Sequence, residues 1–308
     1  MRSLRRAEHS RRLLLLRALV DQLVKRPQLA LPLPPPEDAW NLLERAQFAA
    51  AAEVDTVLDH PYTGAWLSYT MRLLRSGVTG VSPLWVHIGY LHCLAAAAAV
   101  RAGIAFQTAI PVWHGGAILP TLGLIRVPTT ETYATVAVRG GAGVVEADFD
   151  TTRIRLPPDL SADTTDWWPV RRLAASASGH DLLVRFDDVD PYRGSYEPIV
   201  HQRTTGPEIA SWRRLLPRAW ASLADCLPDF ADAMSVGLNV LGPLPVMAHR
   251  PSSESNGEAF GSAMIGLPDL PHELAAMLVH EFQHIRQVRG APAPEPDEIA
   301  DWLGEVVA

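Results

Sequence analysis

The sequence predicts an α+β fold, with helices toward both ends and an antiparallel β region between them. Three observations carry this. Apolar residues recur at helical spacing over roughly the first hundred residues and again in the last third. Between these blocks the period shortens to two, and glycines mark turns between apolar runs. Toward the end, an apolar strand-like run leads into a helix that carries His280-Glu281-Phe282-Gln283-His284. The changes of period divide the chain into 1–103 (helical), 104–200 (β) and 201–308 (helical, with the motif), forming one or two compact domains.

The first block reads as helices over 11–25, 37–58, 64–74 and 83–102. Pro27 stops the first, and a proline-rich connector, extended in character, covers 29–36. Pro83 suits the start of the last helix and Gly103 its end, and the run Ala95 to Ala99 suits close helix packing. The middle block reads as two hairpins, 104–113 with 117–127 around His114-Gly115-Gly116, and 133–139 with 144–149 around Gly140-Gly141. Further strands are expected at 154–156, 170–173 and 182–186, completing an antiparallel meander. In the last block Pro207 opens a helix striped by Trp212, Leu215, Leu216, Trp220 and Leu223, and 228–241 is a second helix. A strand over 259–267 then feeds a helix that starts near Pro271 and stops near Gly290.

Composition narrows the function classes. The chain has 308 residues, 48% of them hydrophobic, and a net charge of −7, ample for a large core. A mildly acidic balance argues against nucleic-acid binding by charge. The apolar run 13–16 is bracketed by Arg11, Arg12 and Arg17 and is too short to span a membrane. No small-residue cleavage site follows it, so a bacterial cytoplasmic location is expected, with no membrane partner. Cys93 and Cys226 both fall in apolar helical stretches and read as buried small hydrophobes.

The chemistry rests on the H-E-x-x-H motif. On a helix His280 and His284 stand four apart and project from one face, so both imidazoles can bind one metal ion. Glu281 lies about 100° around the helix, close enough to act on a water at that ion. A helix with two merely solvated histidines is the alternative, but the flanking Leu278, Val279 and Phe282 mark this helix as buried. Two histidines do not complete a site. Catalytic zinc takes three protein ligands and the non-haem iron triad takes two histidines and a carboxylate. Downstream, Glu298 is the first choice for the third ligand and Asp301 the second, with His249 and His272 as other candidates. A strand leading into such a helix is the order of zincin peptidases, whose strand holds substrate by β-addition. Asp187-Asp188-Val189-Asp190 lacks the glycine and terminal glutamate of a calcium loop and reads as a turn. Gly140-Gly141-Ala142-Gly143 reads as a hairpin turn, and Trp167-Trp168 as core.

Several stretches together resemble one bacterial family, the HExxH-motif peptide-modification proteins, described as α-ketoglutarate-dependent peptide β-hydroxylases. They are Arg11-Arg-Leu-Leu-Leu-Leu-Arg-Ala18, His60-Pro-Tyr-Thr-Gly-Ala-Trp66, Leu84-Trp85, Gly89-Tyr-Leu-His-Cys-Leu94 with the alanines that follow, and Leu119-Pro-Thr-Leu-Gly123. Asp187-Asp-Val-Asp-Pro-Tyr-Arg193, Trp212-Arg-Arg-Leu-Leu216, Gly257-Glu-Ala-Phe-Gly261 and the motif helix itself complete the set. The resemblance implies modification of a ribosomally made precursor peptide with Fe(II), O2 and α-ketoglutarate. It implies His280, His284 and a carboxylate as iron ligands, and an arginine, with Arg250 as the candidate, for the distal carboxylate of α-ketoglutarate. The family continues further past the motif helix than this chain does, so a partner chain completing the site is one expectation. Two other readings stay open: a gluzincin-type Zn2+ peptidase with Glu281 as general base, and a peptide-binding pseudoenzyme with an incomplete site.

Overall fold

A computed structural model describes residues 1–77, 80, 82–244 and 253–287. The fold is α+β, and the chain forms two compact units. One unit takes residues 9–170 and 189–202, and the other takes 1–8, 171–188 and the chain from Arg203 onward. This division differs from the expected 1–103, 104–200 and 201–308. Periodicity reveals a strand but not the sheet it joins, and two strands of the middle block belong with the last block.

The larger unit joins helices to an antiparallel sheet. After α1 (Arg2–Val24) come α2 (Pro36–Ala49), α3 (Ala51–Leu58), α4 (Pro61–Ser76) and α5 (Leu84–Ala102). The expected helix over 37–58 is broken at Ala50, whose φ of −156° is extended. Helix α5 is the central support, packed on α2 and α3 and against the sheet. Ala95 to Ala99 are fully buried, so small side chains do allow close approach. Gly89 is required for the same reason, because a Cβ there would meet the Pro111 ring at 2.9 Å. Among the described helices α5 is long and apolar enough to cross a membrane, and 78% of that window is buried within the fold.

The sheet comprises β1 (Phe106–Trp113), β2 (Gly116–Leu119), β3 (Gly123–Arg126), β4 (Tyr133–Gly141), β5 (Val144–Phe149), β6 (Thr152–Arg155) and β7 (Trp167–Pro169). Its order is β6-β5-β4-β1-β2-β3-β7. The two predicted hairpins are present, but the second turns at Ala142-Gly143, because the expected turn residues Gly140 and Gly141 are paired in β4. His114-Gly115 and Ala142-Gly143 are two-residue turns with positive φ throughout, at 48°, 74°, 50° and 78°, the conformation that matches strand twist. The expected strand over 117–127 is two strands instead, since Thr121 at φ 69° turns the chain back on itself.

The smaller unit holds a mixed sheet, β8 (Arg171–Ala177), β9 (His180–Phe186), β10 (Val240–Leu244), β11 (Ser253–Glu254) and β12 (Ser262–Gly266), in the order β11-β12-β10-β9-β8. Strand β10 runs parallel to both β9 and β12, so β8 and β9 do not extend the antiparallel sheet. Helices α6 (Gly206–Cys226), α7 (Pro228–Gly237) and α8 (Pro271–Gln287) cover this sheet. Thr205 and Glu208 form a capping box at the start of α6, and Pro217 sits inside α6 without ending it. The predicted stripe Trp212, Leu215, Leu216, Trp220 and Leu223 is buried in the core. Cys226, expected to be buried, is exposed at the last position of α6, where the helix has left the core; Cys93 is buried.

The acidic turn has a structural role. Asp188 is fully buried and accepts from Arg203 at 2.9 Å, from the Thr204 N–H at 2.7 Å and from Arg171 at 3.4 Å. One carboxylate thus ties the residues where the chain enters, leaves and re-enters this unit. Asp190 caps the short 3-10 turn Pro191–Arg193 by accepting from the Tyr192 N–H.

Candidate metal centre

Helix α8 carries both histidines on one face, as the spacing predicts, but that face is exposed, whereas the flanking Leu278, Val279 and Phe282 predict a buried one. Leu274, Ala275, Leu278, Val279, Phe282 and Ile285 form its buried face, packed on α6 and β12, and Phe282 meets Phe230 edge-on at 5.3 Å. The apolar face fixes the rotation of the helix, and the rotation fixes where the motif points. His280 and His284 are exposed, on the face away from the core.

Their rings lie edge to face with centroids 4.5 Å apart. The two Nε2 atoms are 3.1 Å apart. Two neutral imidazoles at that distance share one proton at best, and two imidazolium ions there would repel. Two imidazole nitrogens this close supply two of the three protein ligands of a catalytic zinc or non-haem iron site.

Glu281 behaves differently from both neighbours. It is 1% exposed. Its carboxylate comes within 3.9 Å of His280 Nε2, and among the described residues no hydrogen-bond donor reaches its Oε2. A carboxylate buried without full hydrogen bonding is costly, so it needs a cation, a donor or a proton from elsewhere. The residues present therefore fit a divalent ion, with two nitrogen donors and a negative charge beside them.

The other residues expected at the site fall elsewhere. His272 is half-buried in the first turn of α8, and among the described residues no hydrogen bond joins it to the motif pair. Glu298, Asp301, His249 and Arg250 lie outside the described residues. The expected substrate strand is β12, but it is flanked by β10 on one side and β11 on the other. The strand at that edge of the sheet is β11, which packs against α8. The strand-to-helix order was legible; the short β11 was not, because two residues carry no period. Trp167 is buried as expected, while Trp168 is half-buried beneath the Arg126 guanidinium, 4.3 Å from its ring.

No family model matches the chain, and neither a curated protein nor a solved structure matches it.

Proposed function

We propose that this protein is a metal-dependent enzyme acting on a peptide, with His280 and His284 as ligands of the ion. The observation that carries this reading is the convergence of their Nε2 atoms at 3.1 Å, beside a buried carboxylate with an unmatched oxygen. The reaction proposed first is Fe(II)- and α-ketoglutarate-dependent β-hydroxylation of a ribosomally made precursor peptide. The family resemblance supports it. O2 would be the oxidant, activated at the bound ion, with α-ketoglutarate supplying two electrons as it is converted to succinate and CO2. The protein's part is to hold and orient. The core face of α8 locks the two imidazoles in register, and Glu281 contributes negative charge beside them. Glu298 is the proposed third ligand and Arg250 the proposed partner of the cosubstrate's distal carboxylate.

Hydrolysis by a zinc form is the second reading, and the position of Glu281 favours it. A carboxylate adjacent to the ligand pair, buried and with one oxygen unmatched, is placed to take a proton from water at the site. Among the described strands β11 stands at the edge of its sheet, where an extended peptide would add as a further strand.

One experiment separates the two. The protein is purified anaerobically, loaded with Fe(II) or Zn2+, and then given O2, α-ketoglutarate and candidate peptides. Hydroxylation yields succinate and a peptide heavier by one oxygen, only with Fe(II) and α-ketoglutarate. Peptide cleavage by the zinc form, blocked by Glu281→Gln and indifferent to α-ketoglutarate, would sink the hydroxylase reading.

A further inference from the structure

The mixed sheet of the smaller unit ends, on the side away from β11, in β8. Strands β8 and β9 form a hairpin in register from Arg171↔Phe186 to Ala177↔His180, closed by Ser178-Gly179 at φ 50° and 81°. In such a two-residue hairpin the closing pair exchanges both of its hydrogen bonds, and bonded pairs alternate with non-bonded ones from there. Arg171, Leu173, Ala175 and Ala177 therefore turn their backbone groups toward β9. Arg172, Ala174 and Ser176 turn theirs outward, and among the described residues none of these three N–H groups has a backbone acceptor.

All three residues are exposed. Native sheets usually blunt a free edge, because a row of outward N–H and C=O groups is a template for another strand. Here residues 172–176 hold no proline, and their register with β9 is unbroken by a bulge.

The side chains of the same hairpin select the incoming strand. Leu173, Ala175, Leu182 and Val184 face the core. On the outer face Arg172 stands opposite Arg185, Ala174 opposite Leu183, and Ser176 opposite Asp181. One end of that face is basic, the middle is apolar, with Leu183 61% exposed, and the other end is acidic. Neither Arg172 nor Asp181 has an ion-pair partner among the described residues. A strand that runs antiparallel and carries the reverse pattern fits this face. A second β8, turned by a two-fold axis at Ala174, is such a strand. It sets Arg172 of each copy opposite Ser176 of the other, with that copy's Asp181 one strand further on. Neighbouring strands lie about 4.8 Å apart, so the backbones of Arg172 and Asp181 are about 10 Å apart, a gap that an arginine reaching over a small serine can close. The axis also brings Ala174 and Leu183 of both copies into one apolar row. Two-fold symmetry repeats each contact, so the basic end meets the acidic end twice. We propose that β8 is a homodimer interface, at which two copies pair antiparallel about Ala174 into one continuous sheet.

Light scattering after size-exclusion chromatography of the full chain, over a dilution series, reads the mass and the dissociation constant. A mass of two chains is expected, falling toward one on dilution. Ala174→Pro removes an outward N–H at the axis and spares the bonds to β9, as proline on an edge strand can, and should be monomeric throughout. Asp181→Arg sets arginine against arginine twice and should raise the dissociation constant about tenfold or more, the effect of two exposed ion pairs turned repulsive. Arg172→Asp/Asp181→Arg exchanges the charges and should restore the dissociation constant to within about threefold of the wild type. A wild type that stays monomeric leaves this edge to some other chain and overturns the proposal. So does a folded Ala174→Pro that dimerises as tightly as the wild type, or a charge exchange that binds no better than Asp181→Arg. Should Ala174→Pro not fold, the two charge variants, both at exposed positions, decide.

Discussion

Two helices each carry a pair of closely spaced histidines, and the pairs are treated in opposite ways. On α5, His87 and His92 are buried, and the protein answers each ring. His87 bonds Ser82 Oγ and Tyr192 OH, both at 2.8 Å. His92 bonds the Pro34 carbonyl at 3.1 Å and Thr108 Oγ1 at 3.3 Å. On α8, His280 and His284 are exposed, and their Nε2 atoms face one another. Histidines whose ring nitrogens are used up by the fold are parts of the fold. Histidines whose nitrogens face one another, with no other hydrogen-bond partner among the described residues, are the pair we propose for a cation. Residue type does not separate the two pairs, whereas hydrogen-bond accounting does.

The largest expected effect is on turnover. His284→Ala should remove metal-dependent product formation to below detection while leaving the unfolding free energy within about 0.5 kcal/mol, as for an exposed substitution. A variant with normal turnover would make the α8 pair as structural as the α5 pair. Next comes the third ligand. Glu298→Ala is expected to weaken metal binding by more than about a hundredfold, beyond the roughly ten- to hundredfold effect of a residue that only supports a ligand. Metal titration checks it, and unchanged affinity in both Glu298→Ala and Asp301→Ala would favour an incomplete site and a peptide-binding role.

Stability sharpens the contrast further, because the sign should reverse between the helices. His87→Leu leaves the Ser82 and Tyr192 hydroxyls without their partner and should cost about 2–3 kcal/mol. Glu281→Met removes a buried carboxylate with an unmatched oxygen and should stabilise the metal-free protein by about 1–2 kcal/mol, at the expense of activity. Urea denaturation of both variants measures the pair. A loss of stability in Glu281→Met would show that Glu281 is held by bonds outside the described residues.

The smallest effect is in pH. Burial lowers the pKa of His87, His92 and His201 from 6.5 to about 4 in the folded chain. The unfolded chain then binds more protons between those values, so stability should be level above about pH 7 and fall as pH drops from 6.5 toward 4. In His87→Leu the slope of stability against pH in that window should be shallower by up to one proton. An unchanged slope would mean that His87 does not contribute to it.

Much of this was legible in the sequence, and the exceptions share a cause. The α8 helix declared itself by Pro271, by its apolar face and by the i, i+4 histidines, all local signals. Both glycine-marked hairpins did so as well. The assignment of β8 and β9 to a second sheet did not, because pairing with β10 is non-local and leaves no mark on the strands' own period. Thr121 hid a turn inside an apolar run, and Cys226 looked buried because its neighbours are apolar. At the site, sequence placed His280 and His284 on one face. It gave no sign that Glu281 would be buried with an unmatched oxygen. That depends on what the fold brings near it, which no local pattern records.

The most direct measurement is the metal content of protein purified anaerobically after saturation with Fe(II) or Zn2+ and removal of excess. One ion per chain is expected in the wild type and none in His280→Ala/His284→Ala, with an unchanged circular dichroism spectrum. One ion per chain retained by that folded double variant would contradict it and place the metal elsewhere.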